Sequence, residues 1–378
     1  MNNIDISTFF YRISNNIQLT RGYNRSIILS FSNNSYEFIP NELYEILLKF
    51  NGKKRIIDII NEKGNNDKET LLEYFDFLKN NRFIIITDND EKFNNLIPLK
   101  TGFNLPYKIS NCVVEINSSP VNNLLVDRLL ESNLSSLSIF INMELSEIQA
   151  IYDFLRFFNN SNIIYIELHL KYFSNLTEVV ISQLFKIQYR LLKVLVYESP
   201  KDELTFEKTY KENLVLWTKT KMHIENCGIV NPFYYAINKQ FYFESLNHNT
   251  CLNRKVCIDV KGEIKNCPSI SKSYGNIKNT TLAEAIEKHG FKDLWFINKD
   301  KIDVCKVCEF RHICTDCRAF IKDPENIYSQ PAKCPYNPYI AKWEGNKGYV
   351  PVEECGTYTK ETGFVVNKRK VNKLNKQI

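Results

Sequence analysis

The chain has 378 residues, 44% of them hydrophobic, and a formal net charge of +6. This length predicts two or three domains, and the ordinary apolar content excludes a chain without a packed core. No apolar run reaches the ~20 residues that span a bilayer, and residues 1–5 lack the basic and apolar regions of a signal peptide. We therefore expect a cytoplasmic protein with no membrane partner. Its eleven cysteines indicate metal binding or thiol chemistry rather than disulfides.

Residues 1–90 are predicted to form a first domain. Short runs of β-forming residues between turn residues predict three strands, at 17–19, 26–31 and 36–39. Pro40 suits the first turn of a helix, and two further helices follow. The last of them carries an apolar stripe of Leu71, Leu72, Tyr74, Phe75 and Leu78. A strand at 83–87 closes the domain, and the order βββααα predicts a winged-helix shape.

Residues 106–235 are predicted to form a second, β/α domain. Strands are expected at 112–116, 137–142, 163–170, 191–197 and 214–218, and helices at 121–130, 146–158 and 178–188. Strands that alternate with helices indicate βαβ units and a mainly parallel sheet. The run is too short for a complete eight-stranded barrel, which needs ~250 residues.

Residues 236–345 are predicted to form a third unit, with short strands at 240–246 and 256–260. Thr281 and Glu284 have the spacing of a capping box, which predicts the start of a helix. Residues 346–378 become rich in lysine towards their end, and we predict a solvated, disordered basic tail. The expected fold class is therefore multidomain, combining α/β and α+β parts.

Eight cysteines are closely spaced between residues 251 and 334. They are Cys251, Cys257, Cys267, Cys305, Cys308, Cys314, Cys317 and Cys334. Pairs two residues apart let one loop present two thiolates to one site, and Pro268 and Pro335 stiffen the turns that follow two of the cysteines. Eight ligands divide evenly into two four-coordinate sites. The spacing alone leaves open whether these hold iron–sulfur clusters or two structural zinc ions.

The same run resembles the SPASM domain, which closes many radical SAM peptide-modifying enzymes and holds two auxiliary [4Fe–4S] clusters. The resemblance rests on residues 262–268, on residues 305–317 and on Cys334-Pro335. It implies that one cluster is held by Cys251, Cys257, Cys267 and Cys317, and the other by Cys305, Cys308, Cys314 and Cys334. Two residues separate Cys314 from Cys317, where the family often has three. His312, inside the same loop, is interpreted as a packing residue or a partner of a ligand.

The middle domain resembles a shortened, degenerate radical SAM barrel. Such a barrel needs a CxxxCxxC loop after its first strand, where three thiolates leave one iron open for S-adenosylmethionine. Residues 117–123, which follow the first predicted strand, contain no cysteine. We therefore expect no S-adenosylmethionine-binding cluster. Cys112, Cys227 and Cys355 are isolated in the sequence, which is typical of small buried hydrophobic residues.

The first domain resembles the precursor-peptide recognition element of ribosomal peptide maturation. There an edge strand pairs with an extended leader peptide, and apolar side chains on a helix supply pockets. The candidate peptide-binding residues are Ser35, Tyr36, Glu37, Phe38, Leu71, Tyr74, Phe75 and Leu78. The alternative is a winged helix that binds DNA, but Glu69, Glu73 and Asp76 on the third helix would repel phosphate.

The three regions together resemble the SPASM-domain peptide maturase of grasp-with-spasm systems. This resemblance implies a role in maturing a ribosomally synthesised peptide, with the precursor peptide and an ATP-grasp ligase as partners and without nucleic acid. Three hypotheses follow. The chain is a non-catalytic or cryptically redox-active adaptor, an enzyme that uses its two auxiliary clusters, or a zinc-stapled regulator that binds nucleic acid.

Overall fold

The protein is described by a computed structural model covering residues 6–64, 68–95, 102–117, 123–142, 148–206, 213–222, 227–359 and 361–376. It is a mixed α/β structure whose largest element is an eight-stranded, mostly parallel sheet. No helix in these ranges combines the length and the apolar character needed to cross a bilayer.

The N-terminal region contains two small antiparallel sheets and three helices. Its elements are β1 (Phe10–Ile13), β2 (Ile17–Arg21), β3 (Ser26–Ser30), β4 (Ser35–Ile39), α1 (Asn41–Lys49), α2 (Ile56–Lys63), α3 (Lys68–Asn80) and β5 (Ile84–Thr87). The predicted order of three strands followed by three helices is present, and β2, β3 and β4 form one sheet. Strand β1 was not predicted, because its pairing with β5 joins residues about seventy positions apart, beyond the reach of a local pattern.

The core of this region lies between its helices and the sheet. Tyr11 is fully buried, and its hydroxyl donates a hydrogen bond to the Ile46 carbonyl at 2.9 Å. The Tyr11 ring packs against Phe75, with 5.1 Å between ring centroids. Phe75 and its helix neighbours Leu71 and Leu78 are buried in the same apolar cluster. The stripe on α3 is therefore the part of the helix that holds the domain together.

The central sheet combines strands from the middle region and from the cysteine-rich region. Its strands are β6 (Asn111–Ile116), β7 (Ser136–Ile141), β8 (Tyr165–Lys171), β9 (Leu191–Tyr197), β10 (Glu203–Phe206), β11 (Leu214–Trp217), β12 (Lys255–Ile258) and β13 (Ile264–Lys265). Six strands run parallel in the order β11-β9-β8-β7-β6-β12, and β10 and β13 are antiparallel at the two edges. The predicted βαβ alternation is thus correct. Because β12 pairs with β6, the cysteine-rich region is built onto the sheet itself.

Three helices connect the parallel strands and cover one face of the sheet. They are α4 (Asn123–Glu131), α5 (Gln149–Arg156) and α6 (Glu178–Ile187). Alternate residues of each strand, such as Ile166, Leu168 and Leu170 of β8, enter the apolar core beneath the helices. The residues between them, such as Glu167 and His169, therefore lie on the opposite face, because strand side chains alternate.

Two predictions about the C-terminal half were wrong, one for residues 240–246 and one for the C-terminal tail. Residues 240–246 were expected to form a strand but belong to helix α7 (Lys239–Ser245). Asn238 caps this helix, since its side-chain oxygen accepts a hydrogen bond from the Phe241 backbone N–H at 2.9 Å. The aromatic residues of the segment favoured a strand locally, and the cap outweighs that preference. Farther along, the capping box at Thr281 does start a helix, α8 (Leu282–Glu287).

The predicted disordered tail is ordered where it is described. It forms β16 (Gly356–Thr359), β17 (Gly363–Val366) and α9 (Lys368–Lys376), after the short pair β14 (Tyr336–Asn337) and β15 (Lys342–Trp343). Val371 is fully buried and Leu374 packs beside it, in a cluster that also holds Cys355. Two apolar residues three positions apart thus dock a helix whose other side chains are mostly lysine and asparagine. Composition alone concealed this stripe.

The N-terminal region docks onto the cysteine-rich region through β3 and β4. Ile27 and Leu29 join an apolar cluster with Phe310. Beside it, Arg25 Nε lies 2.9 Å from the Glu309 carboxylate, whose side chain is completely buried. The Tyr336 hydroxyl donates a second hydrogen bond to this carboxylate at 2.5 Å. Burial of a carboxylate is costly unless it is paired and hydrogen-bonded, so Arg25 stabilises this interface.

We predict that Arg25→Ala destabilises the protein by about 2–3 kcal/mol, because the Glu309 carboxylate would stay buried without its cation. The free energy of unfolding in guanidinium chloride measures this effect. The matched control is Arg21→Ala, since the Arg21–Glu45 pair is more than half exposed on both sides. That control should change stability by less than about 0.5 kcal/mol. Equal effects of the two substitutions would show that the buried pair does not hold the interface.

Candidate metal centre

The four cysteines of the second predicted set are brought together by two short loops. Cys305 and Cys308 flank a turn in which the Cys308 backbone N–H donates to the Cys305 carbonyl at 2.9 Å. The next turn places Cys314, whose N–H donates to the Phe310 carbonyl at 3.0 Å. Cys334 completes the set. Burial raises the pKa of the other three thiols, and the charge of Cys334 raises it further. We call Cys305, Cys308, Cys314 and Cys334 the second cysteine group.

The backbone before this group is strained. Val304 has a φ of +66°, in the left-handed region that a β-branched residue rarely adopts. Val304 is also buried. The residue that follows it is Cys305, the first thiol of the group. Strain of this kind persists only where the surrounding structure fixes it, and it often accompanies functional sites.

The first predicted set is brought together only in part. Burial raises the pKa of the Cys251 thiol to about 11, Lys255 opposes this rise, and Cys267, Cys227 and Cys317 add to it. Cys267 and Cys317 are therefore within electrostatic range of Cys251. The thiol of Cys227, which the sequence analysis treated as an isolated buried residue, lies with them and is exposed.

The remaining member, Cys257, lies on strand β12, and Lys265 is its partner in the neighbouring strand β13. In the neighbouring strand β6, the partner of Cys257 is Val113. The side chain of Cys257 therefore shares a sheet face with Val113 and Glu115. Cys257 is fully buried. Burial, followed by the charge of Glu115, raises the pKa of the Cys257 thiol far above its usual value. Of the other three predicted thiols, only Cys267 is among the main contributors to this rise.

We call the other predicted set the first cysteine group; it consists of Cys251, Cys257, Cys267 and Cys317. One cysteine of each group contacts a lysine. The Lys255 ammonium lies 3.9 Å from Cys251 Sγ, and the Lys299 ammonium lies 4.0 Å from Cys305 Sγ. Lys299 is only 5% exposed, and its one paired carboxylate, Asp316, lies 3.7 Å away and is also bound to Arg318. A buried ammonium is stable only beside negative charge. The two ammonium groups therefore lie where they can stabilise thiolates.

His312 is not placed as a metal ligand. It is buried, its Nδ1 lies 3.1 Å from the Ser245 hydroxyl, and its ring packs against Tyr242. Burial lowers the pKa of His312 to about 4, with a further contribution from Arg311, so the ring is neutral at pH 7. The structure agrees with its interpretation as a packing residue.

A polar cluster that the sequence analysis missed lies on the face of the sheet opposite the helices. Glu167 accepts contacts from Lys193 at 2.5 Å and from His169 Nε2 at 3.1 Å. The His169 ring stacks on Phe140 with 3.9 Å between centroids. Burial alone would raise the pKa of Glu167, but His169 and Lys193 together lower it to about 2. Glu167 and His169 lie two residues apart on β8, and the strand register brings the distant Lys193 and Phe140 to them.

The candidate peptide-binding residues fall into two classes. Ser35, Tyr36, Glu37 and Phe38 lie in β4, which within the described residues pairs with β3 alone and so leaves one edge open. Tyr36 and Phe38 both pack edge-on against Phe310 of the cysteine-rich region. By contrast, Leu71, Phe75 and Leu78 are buried in the domain core, so their side chains are not available to a bound peptide. Tyr74, on the same helix, is half-buried.

Comparison with known proteins yields structural likenesses of low similarity. No family model matches the sequence, and no curated protein matches it. A crystal structure of Streptococcus suis SuiB bound to S-adenosylmethionine is 11% identical, with a TM-score of 0.34 over 85% of this chain and 99% of that chain. Another SuiB crystal structure is 12% identical, with a TM-score of 0.31 over 85% and 99% of the two chains. SuiB bound to the precursor peptide SuiA is 10% identical, with a TM-score of 0.28 over 82% and 96%. Likeness at this level does not establish a family or an activity.

We predict that Lys299→Met weakens metal binding at the second cysteine group, because the thiolates and Asp316 would lose their buried cation. Loss of such a supporting charge typically costs about 10–100-fold in metal affinity. The rate at which a chelator removes metal from the full-length protein measures the effect. Lys301→Met is the matched control, since Lys301 is exposed and its ammonium only donates to the Phe296 carbonyl. An unchanged release rate in Lys299→Met would mean that Lys299 plays no part in holding metal.

Proposed function

We propose that this chain takes part in the maturation of a ribosomally synthesised peptide. In this proposal its N-terminal region binds the precursor peptide, and its cysteine-rich region carries two [4Fe–4S] clusters. The observation that carries the proposal is the pair of cysteine groups, each with a lysine ammonium about 4 Å from one sulfur. A [4Fe–4S]²⁺ core with four thiolates has a net charge of −2, which these ammonium groups would offset.

Neither cysteine group forms a ready single-ion site in the part of the chain that the structure describes. In the described part of the chain, no three His, Cys, Asp or Glu side chains stand close enough to enclose one metal ion. The thiols are nonetheless near enough to influence one another's charge. A cubane cluster takes each thiolate at a separate corner, so its ligands stand farther apart than those of a tetrahedral zinc ion. The second cysteine group would therefore supply all four ligands of one cluster.

The clusters, when bound, would supply one-electron transfer or an iron site for a substrate group. The chain's own residues set the conditions for that chemistry. Lys255 and Lys299 place positive charge beside the sulfurs, which favours the more negative, reduced state. Phe310, which is buried next to Cys308 and Cys314, keeps water from one side of the second group.

Peptide binding by the N-terminal region is supported by the open edge of β4. Such an edge offers unpaired N–H and C=O groups, which an extended peptide can satisfy along its length. DNA binding is disfavoured, because Glu69, Glu73 and Asp76 are exposed on α3. The face of β4 that carries Tyr36 and Phe38 packs against Phe310, which lies in one apolar cluster with Cys308 and Cys314. A peptide added to β4 would thus be held near one cluster.

The partner enzyme we propose is an ATP-grasp ligase, as the resemblance to grasp-with-spasm systems implies. The chain would hold the precursor for the ligase, because its sequence lacks the three-cysteine motif of S-adenosylmethionine cleavage. Within the loop after β6, residues 118–122 lie outside the described ranges. The zinc-stapled, nucleic-acid-binding regulator is the competing outcome, and the two experiments below distinguish it.

We predict that full-length protein purified without oxygen is brown and contains about eight irons and eight acid-labile sulfides per chain, following four of each per cluster. Metal analysis together with the visible absorption spectrum makes the measurement. Cys308→Ala should lower the iron content towards about four, and Cys355→Ala is the control, because Cys355 belongs to neither predicted ligand set and is buried in the C-terminal apolar cluster. Colourless protein with about two zinc ions per chain would refute the iron–sulfur assignment.

We predict that the full-length protein binds the leader segment of the short peptide encoded beside its gene as an added strand. An added strand pairs through its own N–H groups at every second residue. N-methylation of one alternating set of leader amides should therefore weaken binding about tenfold or more, whereas methylation of the other set should have little effect. Titration by calorimetry measures both peptides. Equal effects of the two sets would exclude strand addition, and tight, salt-dependent binding of duplex DNA instead would favour the regulator.

A further inference from the structure

A bridge of three buried polar side chains connects the two cysteine groups. It consists of Asn249, Asp316 and Lys299, all of which are almost completely buried. Asp316 stands in the sequence between Cys314 of the second group and Cys317 of the first. Polar side chains buried to this degree need partners, and a buried charge needs them most. The contacts of the three residues therefore show what they support.

On one side of the bridge, Asn249 fixes the turn that presents Cys251. Its side-chain oxygen accepts hydrogen bonds from the backbone N–H groups of Cys251 at 3.0 Å and Leu252 at 2.9 Å. Its side-chain nitrogen donates to the Asp316 carboxylate at 2.6 Å. An amide with N–H groups on one side and a carboxylate on the other has one favourable orientation. The Asp316 carboxylate therefore orients Asn249, and Asn249 orients the turn.

On the other side of the bridge, the same carboxylate faces two buried cations. Arg318 Nη2 donates to Asp316 Oδ1 at 2.8 Å, and the Lys299 ammonium lies 3.7 Å from this oxygen. One carboxylate offsets the charge of one of the two cations. The Lys299 ammonium also lies 4.0 Å from Cys305 Sγ, where a thiolate would offset the second charge. Asp316 thus holds Lys299 beside the second cysteine group.

We propose that Asp316 is a positioning residue shared by the two clusters. Through Asn249 it orients the turn of Cys251, and through Lys299 it holds a cation beside Cys305. This inference rests on the proposed function, which supplies the clusters. It assigns a different reach to each residue of the bridge: Asn249 supports the first cysteine group alone, Lys299 supports the second alone, and Asp316 supports both.

The test measures how fast a chelator removes iron from full-length protein that carries one cluster. Cys308→Ala leaves the cluster of the first group, and Cys267→Ala leaves that of the second. Asp316→Asn should speed iron release about tenfold or more in both backgrounds, whereas Asn249→Ala should do so only in the first. Asn253→Ala is the matched control and should have little effect in either. Asn253 is also buried near Cys251, but its side chain donates to Glu244.

A double variant, Asn249→Asp with Asp316→Asn, separates this role from a general structural one. It exchanges the carboxylate and the amide, so the carboxylate at position 249 still accepts from the two N–H groups and the amide at position 316 donates to it. Iron release from the first group should therefore slow again relative to Asp316→Asn. Release from the second group should stay fast, because the side chain beside Lys299 is then uncharged.

The outcomes separate the bridge from the proposed function. Faster release at only one group in Asp316→Asn would overturn the shared role, as would equal release rates in Asn249→Ala and Asn253→Ala. Should Asp316→Asn fail to fold, as circular dichroism would show, Asn249→Ala decides the matter. Selective loss at the first group then supports the bridge, and loss at both groups or at neither overturns it. Wild-type protein without iron would overturn the proposed function and this inference with it.

Discussion

The structure depends on how negative charge on grouped sulfurs is balanced in a partly buried site. Thiolates that share a small volume repel one another, and burial makes each of them more costly. In this chain an ammonium lies about 4 Å from one sulfur of each group. Neither lysine has the sequence signature of a ligand, and Lys299 shares its buried position with Asp316 and Arg318. In the proposed function, a metal cluster would complete this balance, because its iron would neutralise part of the thiolate charge.

The same constraint explains how the regions are joined. The cysteine-rich region does not fold beside the sheet but adds β12 to it, so Lys255 and Cys257 are placed by strand register with β6. The N-terminal region is joined at the other group, where Arg25 compensates the buried carboxylate of Glu309, the residue next to Cys308. The aromatic contacts of Tyr36 and Phe38 with Phe310 lie at this joint. Strand β4 and the loop of Cys308 and Cys314 therefore meet at one interface.

Sequence reasoning succeeded where the pattern is local. Strand and helix alternation predicted the parallel sheet, and the close cysteine spacing places Cys305, Cys308 and Cys314 on consecutive turns that are fixed by their own backbone hydrogen bonds. Sequence reasoning failed where partners are distant. Lys193 joins Glu167 and His169 only through the register between strands, and the position of Cys227 had no signal in the cysteine spacing. The apolar stripe of α3 was correct as a helix prediction, but amphipathicity cannot tell a core face from a binding face.

The most direct test of two clusters is anomalous X-ray diffraction from crystals grown without oxygen, with data collected on both sides of the iron absorption edge. The account predicts two strong iron peaks per chain, one among Cys305, Cys308, Cys314 and Cys334 and one beside Cys251, Cys267 and Cys317. Peaks that appear only across the zinc edge, each at a single ion surrounded by four sulfurs, would contradict it.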